Sequence, residues 1–315
     1  MREMIFNDAS VLNSNSPLAD VAPMLADVAI GMASLVQSNC VSRALRLRRY
    51  LFEIACATDG SLFDAIELLR QVRTRDEHLF LVRLAQKAPL LADLPDAVVS
   101  QVQGAEAANV DQGAGESLVL CVKMRGVAIS LPLKEEWDRD QCNVSFNELV
   151  ESGEIRESTN EIDNLARSNH ATPILERQRQ REIEQLEPIT FWENRNQLFP
   201  RLQFGPEVER QIAEVNRAVF SAVVNRIDEI HMSAKDWDSI GGAAPPWRCN
   251  VTPESEPTMN NRRLREARRF RSSLGSAELF EWHARYGDAG RIHLRFDPRN
   301  RSVEIGYIGG HLPLA

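Results

Sequence analysis

From Arg291 to Phe296 polar and apolar residues alternate without a break. Arg291, His293 and Arg295 hold the odd positions, and Ile292, Leu294 and Phe296 the even ones. Successive side chains of a strand point to opposite faces, so this period of two predicts a strand with one buried face. Val303, Ile305 and Tyr307 form a second apolar row, and Asp297-Pro298-Arg299-Asn300 between the two has turn composition. Upstream, Phe280, Trp282 and Tyr286 interleave with Glu281, His283 and Arg285, and Gly287-Asp288-Ala289-Gly290 has the make-up of a hairpin turn. The tail therefore predicts three antiparallel strands.

Register decides which side chains can cooperate. Pairing Phe296 with Val303, Leu294 with Ile305 and Ile292 with Tyr307 keeps one face apolar and sets Arg295 beside Glu304 on the other. In the first hairpin, a four-residue loop at 287–290 would mix His283 and Arg285 into the apolar face. An odd loop length or a one-residue bulge instead groups His283, Arg285, Arg291 and His293 on one surface, and this is the expected arrangement.

Three of the chain's six histidines, His283, His293 and His311, lie in this tail among arginines. Imidazole moves protons near neutral pH, and guanidinium grips phosphate with two prongs. RNA cleavage without a metal needs a base for the 2′-hydroxyl, cations for the charge growing on phosphorus, and an acid for the leaving 5′-oxygen. His283 or His293 suits proton transfer, Arg285, Arg291 and Arg295 suit the phosphate, and Tyr307 or His311 suits an acid or stacking role. The run containing Arg262, Arg263, Arg265, Arg268 and Arg269 reads equally as a phosphate-contacting element or as a solvated surface. No P-loop, dinucleotide glycine motif, H-E-x-x-H or G-x-S-x-G is present, and no cofactor or metal site is expected.

A helix leading into antiparallel strands that carry Arg and His, closing on Ile305-Gly306-Tyr307-Ile308-Gly309-Gly310-His311, resembles the RelE/ParE-like toxin fold over about residues 190–315. The family includes RNA-cleaving toxins, some dependent on the ribosome, and members with other targets; the resemblance implies here an RNA-cleaving toxin of bacterial stress response or phage defence, acting on free or ribosome-bound RNA. A partner antitoxin is expected, or restraint by the chain's own acidic N-terminal region folding over the basic tail. The sequence departs from that pattern in having no Lys after Lys235 and in its long N-terminal half. The alternative is a non-catalytic module that binds nucleic acid or protein through its Arg-rich face.

The net charge of −8 excludes a protein that is basic throughout, yet residues 260–315 hold eleven Arg against six acidic residues. That asymmetry points to a polyanionic partner at one end. Five cysteines with no C-x-x-C spacing exclude a disulfide framework or structural zinc. Residues 18–37 are apolar but interrupted by Asp20, Pro23 and Asp27, so a soluble cytoplasmic protein without a membrane partner is expected.

Three regions follow, in an α+β chain. Residues 1–116 read as mostly helical, with the Arg43 to Arg49 run either touching nucleic acid or, more often for such a run, forming the solvated face of an amphipathic helix, and Asp59-Gly60-Ser61 capping the next. Residues 117–187 read as β-rich, with strands in 117–133 and 143–146, followed by a charged connector. Residues 188–315 read as the toxin-like domain, in which helices pack on a curled antiparallel sheet. There Val208, Ile212, Val215, Val219, Val223, Ile227 and Ile230 make the stripe of one long helix over 206–232.

Overall fold

The computed structural model describes residues 2–71, 75–86, 88–90, 93–108, 112–149 and 154–314. The chain is a mixed α+β protein made of two units, Met1–Arg179 and Gln180–Ala315.

In the first unit β1 (Arg2–Phe6) leads through α1 (Leu18–Gln37) to β2 (Val41–Arg46). A small pair, β3 (Ala55–Ala57) and β4 (Gly60–Ser61), precedes α2 (Leu62–Leu69), α3 (Arg75–Ala85) and α4 (Asp96–Gln103). Then come β5 (Ala105–Ala107), α5 (Gln112–Lys123), β6 (Val127–Ile129), β7 (Gln141–Leu149), β8 (Ile155–Leu165) and α6 (Ala171–Glu184), within which the unit boundary falls. One sheet of order β2-β1-β6-β8-β7-β5 collects the strands. Its first four are mutually parallel, β7 runs antiparallel to β8, and β5 runs antiparallel to β7. Alternation divides the core. Met4, Phe6, Val127 and Ile129 face a cluster with α1 and α2, while Ile5 and Ala128 face one with α5. α1 is long and apolar enough to cross a membrane by length and composition alone, and Val21, Leu25, Val28, Met32 and Leu35 on it are buried in this core.

Several expectations for this half are corrected. Arg43 to Arg46 lie on a strand, because Leu45 and Leu47 anchor it in the core as alternate residues. Ser117 to Lys123 are helical: Ala114, Leu118 and Cys121 recur at helical spacing and pack in the second cluster. Much of the supposed connector forms β8 and α6, tied down by Asp163, which is 2% exposed and pairs with Arg2 and Arg177. Residues 117–187 therefore do not stand apart, since β6, β7 and β8 share a sheet with β1. The Ser61 cap on α2 is found, its Oγ accepting from the Asp64 N–H.

The second unit comprises α7 (Pro188–Leu198), β9 (Leu202–Phe204), α8 (Glu207–Glu214), α9 (Arg217–Ile240), β10 (Val251–Pro253), α10 (Glu256–Asn260) and α11 (Arg262–Glu266). These are followed by β11 (Arg269–Arg271), β12 (Ala277–Leu279), β13 (Trp282–Tyr286), β14 (Gly290–Asp297) and β15 (Ser302–Gly309). β13, β14 and β15 form the antiparallel meander, flanked by β10 and β9 in the order β10-β13-β14-β15-β9. The expected single helix is two. Val215 is extended and the Asn216 side chain caps α9 by accepting from the Ala218 N–H, which leaves Val219 38% exposed. Val208, Ile212, Val223, Ile227 and Ile230 pack with Ala284, Ile292, Leu294, Val303 and Ile305 of the sheet.

One register differs from expectation. Phe296 pairs with Val303, Arg295 with Glu304 and Leu294 with Ile305, but His293 pairs with Tyr307 and Ile292 with Ile308. Gly306 is the extra residue of a bulge, which turns Tyr307 onto the polar face and puts Ile308 into the core. Glycine is required because a Cβ there would lie 2.6 Å from the ring of the fully buried Phe280. Gly306→Ala should therefore destabilise the unit by about 1–3 kcal/mol, the usual cost of overpacking. Urea denaturation checks this, and unchanged stability would contradict the packing described.

Candidate functional site

The loop between β13 and β14 holds three residues, Gly287 to Ala289, and this odd length sets His283 opposite His293 and Arg285 opposite Arg291. All four side chains share the sheet face away from α8 and α9, as the alternation required. The imidazole rings lie 5.6 Å apart, and Tyr307 meets His293 edge-on at 5.7 Å.

Glu254, which follows β10, organises this face. Its Oε1 lies 3.7 Å from His283 Nδ1, 3.9 Å from His293 Nδ1 and 3.2 Å from Arg268 Nε. The segment from 251 to 257 reads as a polar loop, and only the fold brings it beside the two histidines. The other His283 nitrogen, Nε2, is 3.4 Å from the Thr252 hydroxyl. Burial lowers the His283 pKa, with Glu254 opposing. A neutral ring whose Nδ1–H faces Glu254 leaves Nε2 as an acceptor, the arrangement of a general base.

His293 has a different environment. It is 1% exposed, enclosed by Phe270, Tyr307 and His283, with Nδ1 3.4 Å from the Phe280 carbonyl oxygen. Burial, reinforced by the charges of His283 and Arg268, pushes its pKa down to about 3. The ring is therefore neutral near pH 7 and, at 1% exposure, closed to a substrate, which favours positioning over proton transfer. A titration consequence follows. Below the ordinary imidazole pKa of about 6.5 the unfolded chain takes up a proton that the folded one refuses down to about pH 3, so stability falls as pH falls through that window. The slope contributed is about 1.4 kcal/mol per pH unit, and His283 adds to it in the same direction. Denaturant unfolding at several pH values should show a shallower slope for His293→Gln; identical slopes would contradict this assignment.

Arg285 and Arg291 sit side by side, and neither pairs with a carboxylate among the described residues. Arg285 is exposed, while Arg291 is mostly covered and donates from Nη1 to the Gly290 carbonyl oxygen at 2.9 Å. Burial and the Arg285 charge depress the Arg291 pKa, with the Glu254 charge opposing. Like charges directly opposite each other on a sheet are unfavourable, so an incoming anion would relieve the pair.

The remaining candidates separate into used and unused cations. Arg268 is fully buried, donating to the Leu264 and Pro313 carbonyls and to Glu254, so it does not contact phosphate as the arginine-run reading proposed. Arg295 is gripped by Glu304 and Glu278 and is likewise neutralised. Arg269 pairs with Glu266. Arg262, Arg263 and Arg265 are exposed on α11. His311 is exposed, its Nδ1 2.8 Å from the Leu312 carbonyl oxygen, and its charge is felt by both strand histidines. Tyr307 stacks on Phe270 and donates to the Gly310 carbonyl oxygen. It also lines a groove of about 440 Å³ with Arg210, Asn216 and Gly309. No group of three or more His, Cys, Asp or Glu among the described residues is placed to hold a metal ion.

No family model, curated protein or solved structure matches this chain.

Proposed function

We propose that residues 180–315 bind RNA on the His/Arg sheet face and cleave it without a metal, in the manner of RelE/ParE-like toxins. The carrying observation is the Arg285–Arg291 pair, without a carboxylate partner in ion-pair range among the described residues, next to an imidazole that faces a carboxylate, His283 on Glu254. In this reading His283 Nε2 takes the 2′-hydroxyl proton and attack of that oxygen forms a 2′,3′-cyclic phosphate. Arg285 and Arg291 carry the charge on the non-bridging oxygens, and His311 returns a proton to the departing 5′-oxygen. His293 holds Glu254 and His283 in place, and Tyr307 offers a ring to an adjacent base.

A second reading, binding without turnover, is favoured by one observation: one of the two strand imidazoles, His293, is 1% exposed and closed off from a substrate. Incubation with RNA in EDTA, with and without ribosomes, separates the two. Cleavage giving cyclic phosphate ends, lost in His283→Ala and Arg291→Ala, supports the enzyme. Intact RNA that is retained in a salt-sensitive manner supports the binding module, and intact RNA without retention contradicts both.

A further inference from the structure

The first unit carries a separate feature that the site above does not use. In its sheet β1 has β2 on one side and β6 on the other, so strand order reverses at β1. The crevice outside the carboxyl ends of parallel strands at such a reversal is where open α/β sheets seat ligands. Here those ends are lined by polar groups. Asn7 Nδ2 donates to Ser130 Oγ, which donates to Asn164 Oδ1.

Beside them Asp8 is 0% exposed, and neither of its carboxylate oxygens has a hydrogen-bond partner. Its nearest cations, Arg48 Nε at 3.8 Å and Arg49 Nη2 at 3.7 Å, stop short of hydrogen-bonding distance. The Nε atoms of both arginines are also buried and unpartnered. Immediately after them, Tyr50 and Phe52 stand 56% and 66% exposed, their rings stacked 5.5 Å apart and 4° from parallel. The exposed carboxylate of Glu53 is turned onto the Tyr50 N–H. Large aromatic rings left in solvent next to guanidiniums are the parts of a single-strand nucleic-acid platform, in which rings stack bases and arginines hold phosphates.

We propose that this carboxyl-end surface binds single-stranded nucleic acid. Tyr50 and Phe52 stack on bases, Arg48 and Arg49 hold the backbone, and Asp8 positions the two guanidiniums from below. The Arg side chains supply the charge complementarity that a purely apolar protein partner would not need. The proposal stands apart from the site of the second unit, so its test uses the full chain in an Arg285→Ala, Arg291→Ala background.

Ultraviolet crosslinking of a labelled oligouridine, mapped by mass spectrometry, should mark Tyr50 or Phe52. Tyr50→Ala with Phe52→Ala should weaken binding by about ten-fold or more, since each stacked base contributes on that scale. Arg49→Ala should reduce the salt dependence of binding by about one charge. Both aromatic rings are exposed, so an unchanged thermal midpoint certifies that the double variant folds. A duplex of the same sequence, its bases already stacked, should not crosslink there. Absence of any crosslink within 48–52 in the unsubstituted aromatic background, or unchanged affinity in the folded double variant, overturns the proposal.

Discussion

His283→Ala is expected to slow RNA cleavage by about 10²–10⁴-fold, the range that one positioned proton-transfer group supplies. The geometry makes this imidazole the sensitive point. Glu254 faces Nδ1 at 3.7 Å and Nε2 lies 3.4 Å from the Thr252 hydroxyl, so Nε2 is the nitrogen placed to accept a proton. His170→Ala is the matched control: that ring belongs to the first unit, where its Nδ1 accepts from the Ala166 N–H, and cleavage should be unaffected. Burial lowers the His283 pKa, so the basic form persists into mildly acidic solution and the acid limb of the single-turnover profile should fall below the ordinary imidazole range. Equal rates for His283→Ala and the parent chain would remove His283 from the chemistry.

Glu254→Ala is expected to destabilise the second unit by about 3–5 kcal/mol, because it strands a buried cation. Arg268 is fully buried and, among the described residues, Glu254 is its one carboxylate contact, at 3.2 Å and 3.3 Å; it also donates to the Leu264 and Pro313 carbonyls. Removing the charge of the arginine as well should recover much of the loss, so Glu254→Leu with Arg268→Met should be more stable than Glu254→Ala. Four of the five tryptophans, Trp192, Trp237, Trp247 and Trp282, belong to this unit, so fluorescence-detected urea unfolding reports on it directly. A loss below about 1 kcal/mol would place Glu254 in a solvated, replaceable pair instead.

The C-terminal strands were legible because their pattern is local. Alternation from Arg291 to Phe296 decides which face each side chain takes, and one odd-length turn brings His283 opposite His293. The bulge at Gly306 was hidden, since Val303, Ile305 and Tyr307 continue the alternation on paper; the available signal was Ile308, an apolar residue one step out of phase. Leu45 and Leu47, alternating with Arg46 and Arg48, likewise carried a strand period that the density of arginine obscured. Asn216 within a continuous apolar stripe was a cap signal that marks the end of one helix and the start of the next. Glu254 was not legible at all. Its partners Arg268, His283 and His293 lie 14 to 39 positions away, and only the pairing of β10 with β13 brings it among them. The same distance in sequence concealed that Arg268 is buried and Arg295 neutralised, whereas Arg285 and Arg291 form no ion pair among the described residues.

The most direct measurement is a titration of the histidine-labelled protein with a short RNA, following imidazole nitrogen resonances by NMR. The His283 signals should shift in a saturable, salt-sensitive manner that Arg285→Ala with Arg291→Ala abolishes, while His78 and His170 stay in place. Unmoved His283 resonances at RNA concentrations that saturate the chain would contradict engagement of a sugar–phosphate link by this face.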